Sequence, residues 1–567
     1  MHHLSHPALL PALTGLLLAA CAQPPHGPPS VACGGLASAL SASPALAQFQ
    51  PRVDSARKQD VDDQGHPAHC LVQGRLNERS GAGGRRHAIH FEMRLPQTWN
   101  QRLLFQAGGE GTTPDPAWGR LAVQPTDALT TGFAVISGLA GPEPASLADA
   151  GLAQVSAWGL DAQARRDRGH AAIPALQAVA MALATAHYGR PPQQRYIAGC
   201  GDGGRQALVA ASRYPALFDG LLAGAPGLGA PQAAIQHAWD MQQWLKVNAD
   251  IRQAFSPADM HLVARQVLAR CDGLDLLVDG LVADLPRCQK ALRRSDFDAL
   301  ACTGAKLPGC LSGPQLRALQ QSFAGPHDSA GQALYSDWAW DSGIAATGWR
   351  HWKLQSELPA WAHMPALANL GAAALAQAYT TPPTPVAGKP SSLREHVLRF
   401  DFDRDAPKVL ASGPPFTESA LALMDPTDAD EPQLAGLARH GGKLLVFHGA
   451  SDPRYSVQRT LRWADQLQAN VGLAPADARA RLFMVPGMGH CSGGPATDRF
   501  DALGALVDWV EMAQPPQQLL AQVDAKNPEL PADWSRSRSR PLCHWPQVAR
   551  YRGGDVESAK SFRCGPP

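Results

Sequence analysis

The chain has no surplus of charge of either sign. Lys and Arg number 50 and Asp and Glu 49 in 567 residues, a net charge of +1. That balance removes the basic patch a nucleic-acid partner would need and the acidic run of a solvating tail, so no nucleic-acid partner is expected. Charged residues make up only 17% against 45% apolar, which points to a packed globular protein. Beyond the N-terminal segment there is no run of about 18 uninterrupted apolar residues, so no spanning helix is expected there. No internal repeat is visible.

The first six residues, Met1 to His6, lack Lys and Arg as well, an uncommon start for an export signal. The following stretch Leu9 to Ala20 is nevertheless apolar, too short to cross a bilayer, and ends in Leu18-Ala19-Ala20-Cys21. This is similar to a bacterial lipobox, with Cys21 as the lipidated first residue; an ordinary cleaved signal peptide is the alternative. Residues 1–20 therefore read as a signal and 21–50, rich in Pro, Ala, Gly and Ser, as a tether. The expected location is exported: an outer membrane lipoprotein, periplasmic or secreted, meeting a membrane only through the lipid anchor. Cysteine usage agrees with export. Setting Cys21 aside from the 11 cysteines leaves ten, enough for five bridges. Local spacing suggests Cys271–Cys288, Cys302–Cys310 and Cys543–Cys564; spacing alone does not fix the connectivity.

The 49 prolines and 53 glycines promise many turns. Strand-like runs at 90–95, 102–106, 132–137, 195–198 and 220–225 alternate with helical patterns at 170–188 and about 205–214. Two buried-strand signatures return at 442–447 and 481–485. Such alternation predicts an α/β fold with a parallel sheet covered on both faces. Between about 230 and 430 the alternation fades while tryptophan, cysteine and proline cluster. The expected organisation is a core in two parts, 51–229 and 431–567, around an inserted lid at 230–430. The length, too great for one simple core, fits that division.

Three segments carry chemistry. Tyr196-Ile197-Ala198-Gly199-Cys200-Gly201-Asp202-Gly203-Gly204 reads as strand, sharp glycine turn and helix, the context of a nucleophile elbow. The residue at its apex, where a serine would act, is Gly201. The same letters spell Gly199-x-Gly201-x-x-Gly204, a dinucleotide fingerprint. That rival needs an acid at the end of the next strand, and Asp219 precedes the run 220–225 instead of closing it. Two later loops favour a hydrolase. Asp452 stands just past one strand, in His448-Gly449-Ala450-Ser451-Asp452-Pro453, and His490 just past the next, in Gly487-Met488-Gly489-His490-Cys491. Elbow, acid and histidine fall in the order of α/β-hydrolases. A histidine takes the nucleophile's proton and a carboxylate fixes its tautomer.

These motifs, Gly-Cys-x-x-Gly-Gly, His-Gly-x-x-Asp-Pro and Gly-His-Cys, resemble those of the tannase and feruloyl esterase family, which includes the MHETases; the resemblance runs from about Cys33 to Cys564. It implies an α/β-hydrolase fold with a large inserted lid. It implies Asp452 and His490 as catalytic partners, with Gly201 at the nucleophile's position. It implies a disulfide Cys200–Cys491 tying elbow to histidine loop, which leaves Cys33 and Cys70 as the remaining pair. The Gly108–Gly111 loop stands where the family's oxyanion loop does, interrupted by Glu110, so the backbone N–H groups of Gly109 and Asp202 are the expected oxyanion donors. Gly348-Trp349-x-x-Trp352 matches a family pattern, with cleft lining and core packing both open.

A further segment, Cys271-Asp272-Gly273-Leu274-Asp275-Leu276-Leu277-Val278-Asp279-Gly280-Leu281, places three carboxylates close together in a loop. Hard calcium suits such oxygens, although the spacing is not that of an EF-hand. It resembles the family's lid calcium loop. Carried over, the ligands of a structural calcium are the carboxylates of Asp272, Asp275 and Asp279 and the carbonyls of Leu277 and Leu281. Leu276 takes the place of a usual glycine.

Gly201 has no nucleophile to offer. It is a variant position in an esterase, the mark of a degenerate enzyme kept for binding, or a gap filled by a neighbour. A disulfide-bonded Cys200 is a poor substitute, and Asp202 is ordinary at its position. The expectation is an exported carboxylic ester hydrolase scaffold for aromatic esters of the gallate, ferulate or terephthalate monoester class. It would be built for a Ser-His-Asp acyl-enzyme route and silent or very slow as written. The alternative is a surface lipoprotein that binds aromatic ligands without turnover. Oligomeric state is left open.

Overall fold

A computed structural model describes residues 31–109, 111–472 and 479–567. The signal 1–20, the lipidation position Cys21 and the start of the tether lie outside the described residues, as does Glu110.

Nine strands form one sheet in the order β1-β2-β3-β5-β4-β6-β7-β8-β9. They are β1 Arg52–Gln59, β2 His69–Ser80, β3 Arg86–Pro96, β4 Arg102–Gln106, β5 Ala134–Pro142, β6 Gln194–Cys200, β7 Gly220–Gly224, β8 Lys443–Gly449 and β9 Ala480–Val485. From β5 to β9 the pairing is parallel, while β1, β2, β3 and β5 pair antiparallel. The sheet is thus mixed where the sequence suggested a parallel one. The antiparallel edge grows from the hairpins β1–β2 and β2–β3, whose connections carry no α-helix to announce them.

Side-chain alternation sorts the parallel half into two cores. Leu103, Phe105, Ile197, Leu221, Leu444 and Val446 face one side, against the helices Ala172–Tyr188, Asp202–Arg213 and Val457–Val471. Leu104, Tyr196, Ala198, Leu222, Leu445 and Phe447 face the other, against Ala502–Met512 through Leu503, Leu506 and Trp509. The helical run Ala162–Tyr188 is long and apolar enough to cross a membrane by length and composition. Here Ile173, Leu176, Val179 and Leu183 bury it on the sheet, and Gly189 stops it at φ 72°.

Residues 225–442 contribute no strand to the sheet. They are mainly helical, with Ala230–Leu245, Pro257–Cys271, Gly313–Ala324 and Pro390–Leu398 among the helices. Ser256 with Asp259 and Ser312 with Gln315 close reciprocal capping boxes at two of these helices. The insertion's apolar residues, Trp244, Val263 and Leu319 among them, belong to the same core as the first sheet face.

The tether reading needs correction over residues 31–50. Leu36–Ser41 is helical, Leu36 and Leu40 are buried, and Cys33 is bonded to Cys70 on β2. The small-residue composition that suggested a linker masks leucines at helical spacing. The other disulfides are Cys200–Cys491, Cys271–Cys288, Cys302–Cys310 and Cys543–Cys564, the pairs expected. The last closes a C-terminal region of two antiparallel ribbons, β10 Gln518–Gln522 with β11 Ser539–Cys543 and β12 Val548–Tyr551 with β13 Phe562–Gly565.

Candidate active site

The turn after β6 is made of glycines, and packing demands three of them. A Cβ on Gly199 would stand 2.5 Å from the Ala107 carbonyl oxygen, one on Gly203 2.3 Å from the same atom, and one on Gly204 2.1 Å from the Gly224 carbonyl oxygen. Backbone cannot yield at such distances, so any side chain there would pry the helix Asp202–Arg213 off the sheet. Gly201 is different. It adopts φ 63° and ψ −115°, a conformation almost closed to other residues. The nearest atoms to a Cβ there are side-chain atoms: His490 Nε2 at 2.8 Å, His490 Cε1 at 3.2 Å and Arg454 Nη1 at 3.9 Å.

Asp452 and His490 reach this turn from the ends of β8 and β9. Asp452 Oδ2 lies 2.8 Å from His490 Nδ1 and Oδ1 accepts from the N–H groups of Arg454 at 2.7 Å and Tyr455 at 3.1 Å. The carboxylate is fully buried. Burial would push its pKa up, but the charges and hydrogen bonds of His490 and His448 hold it well below the ordinary value. The acid and histidine loops pack backbone to backbone: a Cβ on Gly449 would meet the carbonyl oxygens of Gly489 and Met488, each at 2.4 Å. Cys491, at φ 67°, bonds to Cys200, so the histidine is flanked by a tie to the elbow.

The expected oxyanion donors border the same turn. Asp202 opens its helix, where the first N–H groups have no intrahelical partner. Gly109 has φ 106° and its carbonyl accepts from Arg168. Neighbouring Gly108 approaches the helix start, with a Cβ position 3.5 Å from Gly203 Cα. Asp202's side chain turns away, bonding Arg205 and Gln206, each at 2.8 Å. Burial opposes its charge, but Arg205 and Arg168 keep its pKa below the usual carboxylate range.

A cleft lined by Trp158, Trp352, Tyr379, Leu367, Leu370 and His237 takes in Gly109 and Asp202. The two tryptophans of Gly348-Trp349-x-x-Trp352 divide between the readings left open. Trp349 is buried beside Phe323, whereas Trp352 lines the cleft, its ring 5.5 Å from that of His490. Arg454 lies over Trp352 and Tyr455, at 5.1 and 5.0 Å from the ring centres.

Several side chains here carried no sequence signal. His448 is fully buried with Nε2 3.2 Å from Asp452 Oδ2 and Nδ1 2.9 Å from Thr460 Oγ1. With two oxygen acceptors near Nε2, Asp452 and the Tyr455 carbonyl, that nitrogen carries the proton. Arg205 is completely buried and donates to the carbonyls of Gly169, Met424 and Arg168, which fixes the elbow helix. His237 is pushed down to about 3 by burial and by Lys353, with the Arg454 main chain pulling weakly the other way. Asp341, from the insertion, accepts from Ser451 Oγ at 2.6 Å and from the Gly487 N–H at 2.9 Å, bracing both the acid and the histidine loops. Apart from His448, which opens the His-Gly-x-x-Asp-Pro segment, no motif marks these residues, because their roles depend on contacts between distant segments.

The acidic loop brings Asp272, Asp275 and Asp279 into mutual influence. Burial and the charges of Asp279 and Asp272 push Asp275 up to about 7. Asp272 accepts from the N–H groups of Asp279 and Gly280, each at 2.9 Å, and Asp279 is ion-paired with Arg540. Leu276 takes φ 80°, the left-handed conformation that favours glycine. Among the described residues no three acidic, histidine or cysteine side chains converge as a metal-binding group. The donor type, three carboxylates within one loop of which Asp272 and Asp275 are buried, fits a hard cation in chemistry.

The Asp452–His490 pair beyond β8 and β9, meeting a sharp turn beyond β6, defines an α/β-hydrolase. The dinucleotide reading falls away, since Asp219 sits at the start of β7 and is bound to Arg195. Residues 70–565 match the family described as tannase and feruloyl esterase. The chain is 36% identical over 534 residues to the mono(2-hydroxyethyl) terephthalate hydrolase of Piscinibacter sakaiensis, covering 88% of this chain and 85% of that protein. It is 28% identical over 493 residues to a probable feruloyl esterase of Arthroderma benhamiae, covering 83% and 81%. The crystal structure of an esterase from Aspergillus oryzae superposes with a TM-score of 0.70 at 20% identity, covering 94% of this chain and 99% of that one. The chain belongs to the tannase and feruloyl esterase family.

Proposed function

We propose that this chain is an exported carboxylic ester hydrolase scaffold for esters of aromatic acids, of the gallate, ferulate or terephthalate monoester class, whose acyl-enzyme chemistry is suppressed at Gly201. The observation that carries the reading is the Asp452–His490 pair directed at an elbow residue without a side chain. With a hydroxyl at residue 201, His490 would take its proton as it attacks the ester carbonyl. Asp452 would hold the imidazole's tautomer and balance its charge, and the N–H groups of Asp202 and Gly109 would receive the oxyanion. The ring-lined cleft suits an aromatic acyl group. The names of the relatives, a terephthalate monoester hydrolase and a feruloyl esterase, support the same class.

In this reading the acidic loop holds a structural calcium through Asp272, Asp275, Asp279 and the carbonyls of Leu277 and Leu281, bracing the insertion, and Cys21 carries a lipid. The test is a panel of methyl esters of aromatic and aliphatic acids given to the Gly201→Ser chain. Hydrolysis confined to the aromatic members is expected. Preference for the aliphatic ones sinks the substrate class. Binding of aromatic acids without hydrolysis of any ester replaces the reading with a ligand-binding protein.

A further inference from the structure

We infer that His490 itself serves as the nucleophile in this chain, for aryl esters, whose leaving group is a phenoxide. The inference rests on the proposed esterase reading and deepens it. Its basis is steric. The imidazole stands in the space a residue 201 side chain would enter, with Nε2 2.8 Å and Cε1 3.2 Å from the Cβ position. A hydroxyl would extend further into that space, so the ring nitrogen holds the ground the hydroxyl would otherwise occupy. The ring is also oriented for the task. Nδ1 lies 2.8 Å from Asp452 Oδ2 and donates to it, which puts the lone pair on Nε2. Asp452 is buried and kept ionised, so it stabilises positive charge on the ring. The disulfide at Cys491 and the Gly449–Gly489 packing secure the histidine loop. Trp352 and Tyr455 flank the ring, at 5.5 and 5.6 Å between centres.

The chemistry balances without an added reagent. Nε2 bonds to the ester carbonyl carbon, and the oxyanion forms beside the N–H groups of Asp202 and Gly109. Collapse breaks the bond to the aryl oxygen, and the phenoxide departs with its electron pair. The acyl-imidazolium left on His490 carries one positive charge, opposite Asp452. Water then attacks the acyl carbon, Nε2 leaves with its pair as neutral imidazole, and the proton set free goes to the phenoxide.

The leaving group decides the substrate class. The intermediate expels its better leaving group, and imidazole departs far more readily than the alkoxide of an ordinary alcohol. Alkyl esters therefore return to starting material, while aryl esters, whose phenoxide is a far better leaving group than an alkoxide, send a fraction of the intermediate forward at each attack. A serine nucleophile has no such handicap, because it exchanges one alkoxide for another.

The experiment compares the phenyl and methyl esters of one aromatic acid, with the chain as it stands and with Gly201→Ser, His490→Ala and Asp452→Asn. Alongside, the native chain is quenched in acid during turnover and the peptide bearing His490 is weighed for an acyl adduct. The aryl-to-alkyl rate ratio of the native chain is expected to exceed that of Gly201→Ser by about 100-fold or more. His490→Ala and Asp452→Asn are each expected to lose at least about 10-fold of the aryl activity. The acyl mass should appear on the His490 peptide. The inference is overturned if aryl turnover proceeds with no adduct, if His490→Ala leaves it unchanged, or if the native chain is inert to phenyl esters that Gly201→Ser cleaves. The adduct needs no variant, so misfolding of a mutant does not shield the idea. If Gly201→Ser cleaves no ester while the native chain still acylates His490, the reading of residue 201 as a serine nucleophile's position fails and the histidine one stands.

Discussion

Placing a serine at residue 201 should trade a little stability for a large gain in rate. Two terms act on the fold. The backbone there, at φ 63° and ψ −115°, costs a residue with a side chain about 1–3 kcal/mol. Against that, replacing glycine removes freedom from the unfolded chain, worth about 0.4–1 kcal/mol. The new Cβ would also lie 2.8 Å from His490 Nε2, so the ring must retreat by several tenths of an ångström. A ring held by a hydrogen bond to Asp452 can do so without moving backbone. The net expectation is a loss of about 1–2 kcal/mol, a Tm shift of a few degrees at most in a chain this long.

The gain is of another order. A serine nucleophile in a triad is worth about 10⁴–10⁶ in kcat, or about 5–8 kcal/mol of barrier. Denaturant unfolding and kcat/KM on a methyl ester of an aromatic acid measure both quantities on the same pair of proteins. A Gly201→Ser chain as stable as the native one would refute the argument from backbone strain. A gain below about 100-fold would show that His490 does not reach the hydroxyl in working geometry.

Four other outcomes follow from the geometry. Replacing Cys200 with Ala opens a link across 291 residues and should cost about 3–5 kcal/mol in denaturant unfolding; in the Gly201→Ser background kcat should fall more than KM rises, because the histidine loop loses its tie. Asp425 is pushed up to about 6 by burial, from 3.8, despite bonds from the Gly229 N–H. The native state therefore binds its proton more tightly than the unfolded chain, a contribution of about 3 kcal/mol that is complete below pH 3.8 and lost as pH rises through 6. Asp425→Asn should remove that part of the stability–pH curve, and an unchanged curve would contradict it. Added calcium at about 100 times its dissociation constant should raise unfolding stability by about 2.7 kcal/mol, and Asp275→Asn should abolish the response; no response in the native chain would remove calcium from the loop. Asp452→Ala strands the N–H groups of Arg454 and Tyr455, so it should destabilise by about 3–5 kcal/mol, whereas His490→Ala, which gives up one hydrogen bond, should cost about 1–2 kcal/mol in the same assay.

The parallel half of the fold was legible because each strand there is a short apolar run between turn residues, as at Leu103-Leu104-Phe105 and Leu444-Leu445-Val446-Phe447. The antiparallel edge was less so. Strand β1, Arg52–Gln59, is polar, with residues exposed or half-buried, so it offers no apolar alternation to read. At the site, Gly201, Asp452 and His490 announced themselves through glycine turns and strand ends. His448, His237, Arg205 and Asp341 did not. Their meaning comes from burial and from partners far away in sequence, such as Asp341 against Ser451 and Gly487, and local pattern does not encode such contacts. Residues 31–50 went astray for a related reason: a Pro, Ala and Ser-rich stretch reads as linker until Cys33 fastens it to Cys70.

The persistence of Asp452 opposite a glycine does not by itself require turnover, because the acid has structural duties. It caps the backbone of Arg454 and Tyr455, pairs with His448, and stands on a loop welded to its neighbour by the close approach of Gly449 to Met488 and Gly489. The glycines at 199, 203 and 204 are likewise fixed by backbone contact. His490 has fewer such duties, with one hydrogen bond to Asp452 and ring contacts with Trp352 and Tyr455. The fold therefore uses the acid and the elbow glycines structurally whatever stands at residue 201, and the histidine has the fewer structural contacts of the three. That asymmetry is why the discriminating measurement is the fate of the His490 ring during turnover of an aryl ester. Asp452 and the elbow glycines would look the same in an enzyme and in an inert protein of the same fold.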